Sequence, residues 1–251
     1  MIIDIKKLAN YNFQFLLFFI LGVTSCTSDL SNKKIENISL IYAEIEIIQN
    51  PLDRNSNSVV VNLLDKNGKR ISNDSLTIFV NNIEEKLYHK QGLYYTDQSK
   101  YIFSNVPVNE QYNVEIKLSN GDKYFLGSVK ALVEENQKNI ECKELGDINS
   151  DFVIKWHDLN DIDELSVFVG MAEKTAPNIT TMNNKEEKIM KINNSGIFTI
   201  PKAEYKDTNS IINGIEFNFR TTKSGKTNPK LLENSTITIK TSIVRNITFT
   251  E

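Results

Sequence analysis

The chain has 251 residues, of which 40% are hydrophobic and 24% charged, the balance of a folded body rather than of a disordered segment. At roughly 100–200 residues per domain, that length allows one large domain or two small ones. The formal net charge is −3 and both signs are interspersed, so there is no basic face for a phosphate backbone and nucleic acid is not an expected partner.

Lys6 and Lys7 precede an apolar run from Phe13 to Val23 that only Gln14 interrupts. The run is shorter than the roughly 20 residues needed to cross a bilayer but fits the apolar core of an export signal, about 7–15 residues. Residues 1–25 are therefore expected to be a cleaved signal peptide. A plain secretory signal with an incidental cysteine, or an N-terminal membrane anchor, is the competing reading. The run ends in Val23-Thr24-Ser25-Cys26, an aliphatic residue and two small ones before a cysteine. This resembles the lipobox of bacterial lipoproteins, with Val23 where that family usually has Leu. The resemblance implies acyl (palmitate-type) chains on Cys26 and attachment to the lipid bilayer through Cys26. Thr27, rather than Asp, follows the cysteine, which by the same resemblance points to the outer membrane, on its periplasmic face or at the cell surface. Cys142 is then left without an intramolecular partner and is expected to be a small buried hydrophobe, with a Cys26–Cys142 disulfide as the alternative.

Residues 26–37 are polar and are expected to form a flexible tether. From Ile38 onward the pattern has period two. Leu40, Tyr42, Ile45 and Ile47 alternate with Glu44 and Glu46, and Val59–Leu64 ends in an Asn67-Gly68 turn. Leu76–Val80 and Tyr101–Phe103 are short strands, and Tyr112–Leu118 turns at Asn120-Gly121 into a hairpin with Lys123–Val129. Phe152–Trp156, Leu165–Val169, Gly196–Ile200, Ile215–Phe219 and the β-branched segment Thr236–Phe249 complete the set. The polar stretch Glu134–Ser150 is the best boundary. Many short strands with closely spaced turns predict an all-β chain of two tandem β-sandwich domains, 38–145 and 150–251.

Val59-Val60-Val61 with Asp65-Lys66-Asn67-Gly68-Lys69, then Phe103–Pro107 and Tyr112-Asn113-Val114, resemble prealbumin-like or carboxypeptidase-regulatory-like modules. Phe152–Trp156 and the closing strand Ile243–Phe249 are similar to a fibronectin type III domain. Both resemblances imply immunoglobulin-like sandwiches, a fold that hosts adhesion, ligand binding and assembly alike.

Residues suited to chemistry are few. His89 and His157 are the two histidines, and neither joins enough thiols or carboxylates in sequence to make a zinc site. Asp158, Asn160 and Glu164 in the loop Asp158–Glu164 could donate oxygens to Ca²⁺, but Ile162 stands where a further oxygen is needed, so calcium there is left open. No serine-nucleophile or phosphate-loop motif occurs, and no catalytic residue, metal or cofactor is assigned. Tyr94 and Tyr95 lie near Tyr88 and Tyr101; in a strand they point to opposite faces, so one of the two is the candidate ligand contact. Trp156 alternates with Phe152 and Ile154 and is expected in the core. Asn-x-Ser/Thr triplets such as those at Asn178 and Asn246 follow from composition. The expected role is a membrane-anchored, non-catalytic binding, adhesion or scaffolding module at the bacterial cell envelope, with an envelope protein or glycan as partner. The alternative is an envelope-associated enzyme acting on a glycan or peptide polymer.

Overall fold

β-branched and aromatic residues at every second position favour a pleated backbone, and strands are what form. In the computed structural model, which describes residues 28–91, 97–176, 179–205 and 209–250, the regular structure is strand apart from 3-10 turns of three or four residues. The protein is all-β. The strands of the first part are β1 (Tyr42–Ile48), β2 (Asn57–Leu64), β3 (Thr77–Val80), β4 (Ile83–Glu85), β5 (Tyr88–Gln91), β6 (Asp97–Val106), β7 (Gln111–Lys117) and β8 (Lys123–Lys130). They are followed by β9 (Ile140–Glu141), β10 (Leu145–Asp147), β11 (Phe152–Trp156), β12 (Glu164–Ala176), β13 (Ile179–Asn184), β14 (Lys188–Lys191), β15 (Gly196–Ile200), β16 (Ser210–Ser224), β17 (Lys226–Thr227) and β18 (Thr236–Thr250).

The described strands form three sheets. The largest runs β13-β12-β16-β18-β1-β2-β6-β5, with β14 beside β12 and β10 beside β18. The others run β17-β8-β7-β3-β4 and β15-β11-β9. Because side chains alternate across a strand, one face of the large sheet can be followed from β2 through β1 and β18 to β16. Ile45 and Ile47 of β1 sit opposite Val61 and Val59 of β2, and opposite Ile237 and Ile239 of β18. Farther along β18, on the same face, Ile243 and Ile247 oppose Phe219 and Ile215 of β16.

Two apolar clusters cover that face. The first joins β1, β2 and the start of β18 to Tyr112, Val114 and Ile116 of β7 and Leu126 of β8, from the five-stranded sheet. The second joins β12, β16 and the end of β18 to Phe152, Ile154 and Trp156 of the three-stranded sheet. Phe152 stacks on Phe217 with ring centroids 5.7 Å apart, and Trp156 meets Phe219 edge-on at 5.5 Å. Both layers have the face-to-face arrangement of a β-sandwich. Between the clusters lie the register partners Thr221 and Thr241, both buried. β18 therefore serves both cores, although its parallel partner β1 lies nearly the whole chain away.

Two local features need more than alternation. Gly225 follows β16 where the chain leaves the large sheet to pair with β8 as β17, and a Cβ there would collide with the Ser128 carbonyl. The polar segment 28–37, expected as a tether, is packed. The Ser28 N–H donates to the Arg70 carbonyl at 2.8 Å, its hydroxyl donates to Asp65 at 2.6 Å, and Asn73 Nδ2 donates to the carbonyls of Leu30 and Lys33. Ile35 is fully buried in the first core. One apolar anchor and a few satisfied backbone groups outweigh the polar composition of the rest.

Candidate functional site

Cys26, Tyr94 and Tyr95, the residues singled out from sequence for lipidation and ligand contact, lie outside the described residues. Of their neighbours, Tyr101 is buried in the first core, where burial and the charge of Asp74 push its phenol well above its usual value. Tyr88 is exposed on β5. Trp156 is a core anchor whose Nε1 donates to the Asn193 carbonyl at 2.9 Å. Cys142 is half-buried, and burial pushes its thiol up. Among the described residues no three His, Cys, Asp or Glu side chains are placed to hold a metal.

The Asp158–Glu164 loop does not gather its oxygens on one point. Asp158 faces His157 Nδ1 at 3.0 Å, and Glu164 takes Arg220 Nε at 2.6 Å. Asp161 accepts from Lys223 Nζ and from the Val133 N–H, while the N–H groups of Asn160 and Asp161 donate to Glu135 Oε1 at 2.8 and 3.0 Å. Burial alone would raise the Asp161 carboxyl, but the bonds from Lys223 and Val133 hold it below its usual value. Glu135 goes the other way, raised chiefly by burial. The loop thus fastens the chain after β8 to the second core.

The described surface has a groove of about 770 Å³ at one end of the five-stranded sheet. One wall is the tight turn between β3 and β4, where Asn81 and Asn82 take φ of 48° and 69°. Two successive residues at positive φ make the hairpin turn for which asparagine is among the best-suited residues. Asn81 extends the pairing to β7: its N–H donates to the Asn113 carbonyl at 3.0 Å, and its Oδ1 accepts from the Asn113 N–H at 2.9 Å. The opposite wall is Asn109, Glu110 and Gln111 at the entry to β7. Asn113, Glu115 and Phe125 form the floor. Gln111 Nε2 donates to Asn113 Oδ1 at 3.0 Å, whereas the side chains of Asn82 and Asn109 make no hydrogen bond among the described residues.

Phe125 reaches the outer face through an irregularity. Gly127 opposes Val114 and Phe125 opposes Glu115, so β8 carries one extra residue, Leu126, against β7. Strict alternation from buried Val129 would place Phe125 in the core; the bulge reverses its side. The outer row then reads Phe79, Glu115, Phe125. Phe79 is covered by Lys123, whose ammonium lies 3.6 Å from the ring centroid, while Phe125 is 39% exposed. Asn228 pins the bulge, its side chain donating to the Phe125 carbonyl at 2.7 Å and its N–H to the Leu126 carbonyl at 2.9 Å. A smaller depression of about 360 Å³ shares Asn109 and Glu110 with the groove and extends it toward Arg54 and Glu134. Sequence reasoning did not single out this site; the Asn81-Asn82 pair after the strand Leu76–Val80 is the turn signal that could have marked it. The exposure of Phe125 had none, since the bulge arises from pairing.

No protein-family model and no curated protein sequence matches the chain. Among solved structures it is similar to the Bacteroides ovatus mixed-linkage glucan utilization locus SGBP-B, in complex with a mixed-linkage heptasaccharide, at 15% identity and a TM-score of 0.23 over 88% of this chain and 46% of that one. It is also similar to the Yersinia pseudotuberculosis adhesin InvE, at 8% identity and a TM-score of 0.24 over 85% of this chain and 61% of that one. The chain spans about half the length of the first of these. Scores this low carry no functional inference.

Proposed function

We propose that this chain is a bacterial lipoprotein, anchored through Cys26 in the outer membrane, whose body is a non-catalytic binding module at the cell envelope. Two immunoglobulin-like sandwiches, the second of fibronectin type III character, would meet at β18 and present the groove to an envelope protein or glycan. The observation that carries the binding role is the groove itself, an open surface lined by five primary amides around an exposed aromatic. The lipobox pattern at Val23–Cys26 supports the anchor.

The packed N-terminal segment gives this reading a geometry. Cys26 precedes Ser28 by two residues, at most about 7 Å of extended chain. With Ser28 held on Arg70 and Asp65, the acylated residue would keep the 65–70 turn close to the headgroups, with little linker between. Acyl chains at one residue anchor stably when there is more than one of them. The test has two parts. Mass spectrometry of the native membrane protein should find a diacyl or triacyl Cys26 at the mature terminus, and Cys26→Ser should release the protein from membranes. The membrane-bound protein should also retain an envelope component that Phe125→Ala and Asn113→Ala variants lose. An unmodified terminus would end the anchoring proposal.

One observation favours the enzymatic alternative. Glu110 and Glu115 both line the groove, and glycoside hydrolysis uses two carboxyl groups flanking the scissile bond. New reducing ends or peptide termini released from a polymer, and lost in Glu115→Gln, would select that reading.

A further inference from the structure

Resting on the binding role proposed above, we propose that the groove between the Asn81-Asn82 turn and the Asn109–Gln111 segment takes a neutral saccharide chain, with Phe125 as the stacking platform for one sugar ring. Three features of the groove define that ligand. Its polar lining is dominated by primary amides, each carrying two donors and a two-lone-pair acceptor on a rigid plane. Such a group matches a pair of neighbouring hydroxyls, one accepting and one donating, without the desolvation cost of burying a charge. Two of these amides are free to bind: among the described residues, the side chains of Asn82 and Asn109 make no hydrogen bond.

The second feature is the aromatic. A pyranose presents an apolar face of C–H groups, which an exposed ring can cover. Of the two outer-face phenylalanines, Phe79 is already capped by Lys123 and Phe125 is open. Asn228 fixes the backbone at Phe125, so the face from which the ring projects is set before any ligand arrives. Charge is the third. Among the described residues, the charged groups lining the groove are Glu110 and Glu115, and no lysine or arginine lines it. An anionic polymer such as an acidic polysaccharide would meet both carboxylates, while the nearest cation, Lys123, is already shared between Glu115 at 3.8 Å and the Phe79 ring. The shared border at Asn109 and Glu110 continues the groove into the smaller depression, where Arg54 is paired with Glu134 at 3.9 Å and Lys130 stands beside Glu110, giving room for several sugar units in a row.

The test is calorimetric titration of the full chain, purified from membranes in detergent, with neutral hexasaccharides of glucan, mannan, galactan and xylan type and with oligogalacturonate as the anionic probe. Saturable binding to at least one neutral probe is expected, with oligogalacturonate not binding. Phe125→Ala should weaken binding about tenfold, the loss of one ring contact. Asn113→Ala should weaken it too, and Phe168→Ala, on the outer face of the large sheet, should leave it unchanged. Equal thermal midpoints of the variants would show that the fold is intact. Binding of a neutral probe that Phe125→Ala and Asn113→Ala leave untouched would overturn the site while the binding role survives. Preference for oligogalacturonate, or no saccharide binding while an envelope component is still retained, would overturn the ligand class alone.

Discussion

Ile239 and Ile243 lie four residues apart on one face of β18, yet each belongs to a different core, and truncating them tests whether the two cores unfold together. Ile239 is fully buried beside Ile47 of β1; Ile243 is buried opposite Phe219 of β16. Replacing either with alanine removes three buried carbons and leaves a cavity, a cost of about 2–5 kcal/mol. In a chain of this size each kcal/mol lowers the melting temperature by about 2–4 °C, so a cost of about 3 kcal/mol lowers it by roughly 6–12 °C. β18 is bonded to β1 from Thr236 to Lys240 and to β16 from Thr238 to Thr248, so the two pairings overlap. Neither core can open without stripping a strand from the other. The single tryptophan, Trp156, sits in the second core and reports on it alone. Ile239→Ala, a lesion in the first core, should therefore lower the midpoint seen by Trp156 fluorescence as much as the calorimetric midpoint. If Ile239→Ala shifted a calorimetric component and left the Trp156 midpoint in place, the shared strand would not couple the cores.

Other consequences follow from single contacts. Burial raises the Glu135 carboxyl above its ordinary 4.5. The folded protein thus holds that proton more tightly than the unfolded chain, and the contribution, full below about pH 4.5, is lost as pH rises through the folded value. Glu135→Gln keeps an acceptor for the Asn160 and Asp161 N–H groups without the charge, so its stability relative to the parent should rise with pH across denaturation curves from pH 4 to 8; a flat or falling difference would refute this. Ser28→Ala removes the 2.6 Å donor to Asp65. Burial alone would raise that carboxyl, but the Ser28 hydroxyl, the N–H groups of Lys69 and Asn67 and the Lys69 charge hold it low. A loss of about 1–2 kcal/mol is expected at pH 7 in urea denaturation, shrinking in acid as Asp65 protonates; an equal loss at pH 3 would contradict it. Gly225→Ala, against the Ser128 carbonyl, should cost about 1–3 kcal/mol or more. Gly170→Ala, whose Cβ would have 3.6 Å to its nearest neighbour, should cost less than Gly225→Ala in the same denaturation assay; the reverse order would show the Gly225 approach to be slack.

What could be read along the chain was local. Val59–Leu64, Tyr112–Leu118, Phe152–Trp156 and Ile215–Phe219 announce strands because one buried face imposes period two. Asn120-Gly121 announces the β7–β8 hairpin, with Gly121 at φ 92°. β13 and β14 were not visible, since Thr180, Thr181, Asn183 and Lys188 are exposed and leave no apolar stripe. The packed segment 28–37 was hidden for a related reason: Ile35 alone supplies its fully buried anchor, and a single residue makes no period.

The sequence by itself determined the class of structure, because alternation, β-branching and turn residues act between neighbours, and it supplied the signal-like segment ending at Cys26. Tertiary structure decided the rest. Parallel pairing of β1 with a strand nearly 200 residues away, one strand serving two cores, and Phe125 turned outward by a bulge are all settled by which backbone groups find each other across the fold. Those partners carry no mark in the local pattern, since any two well-formed strands can offer the same hydrogen bonds.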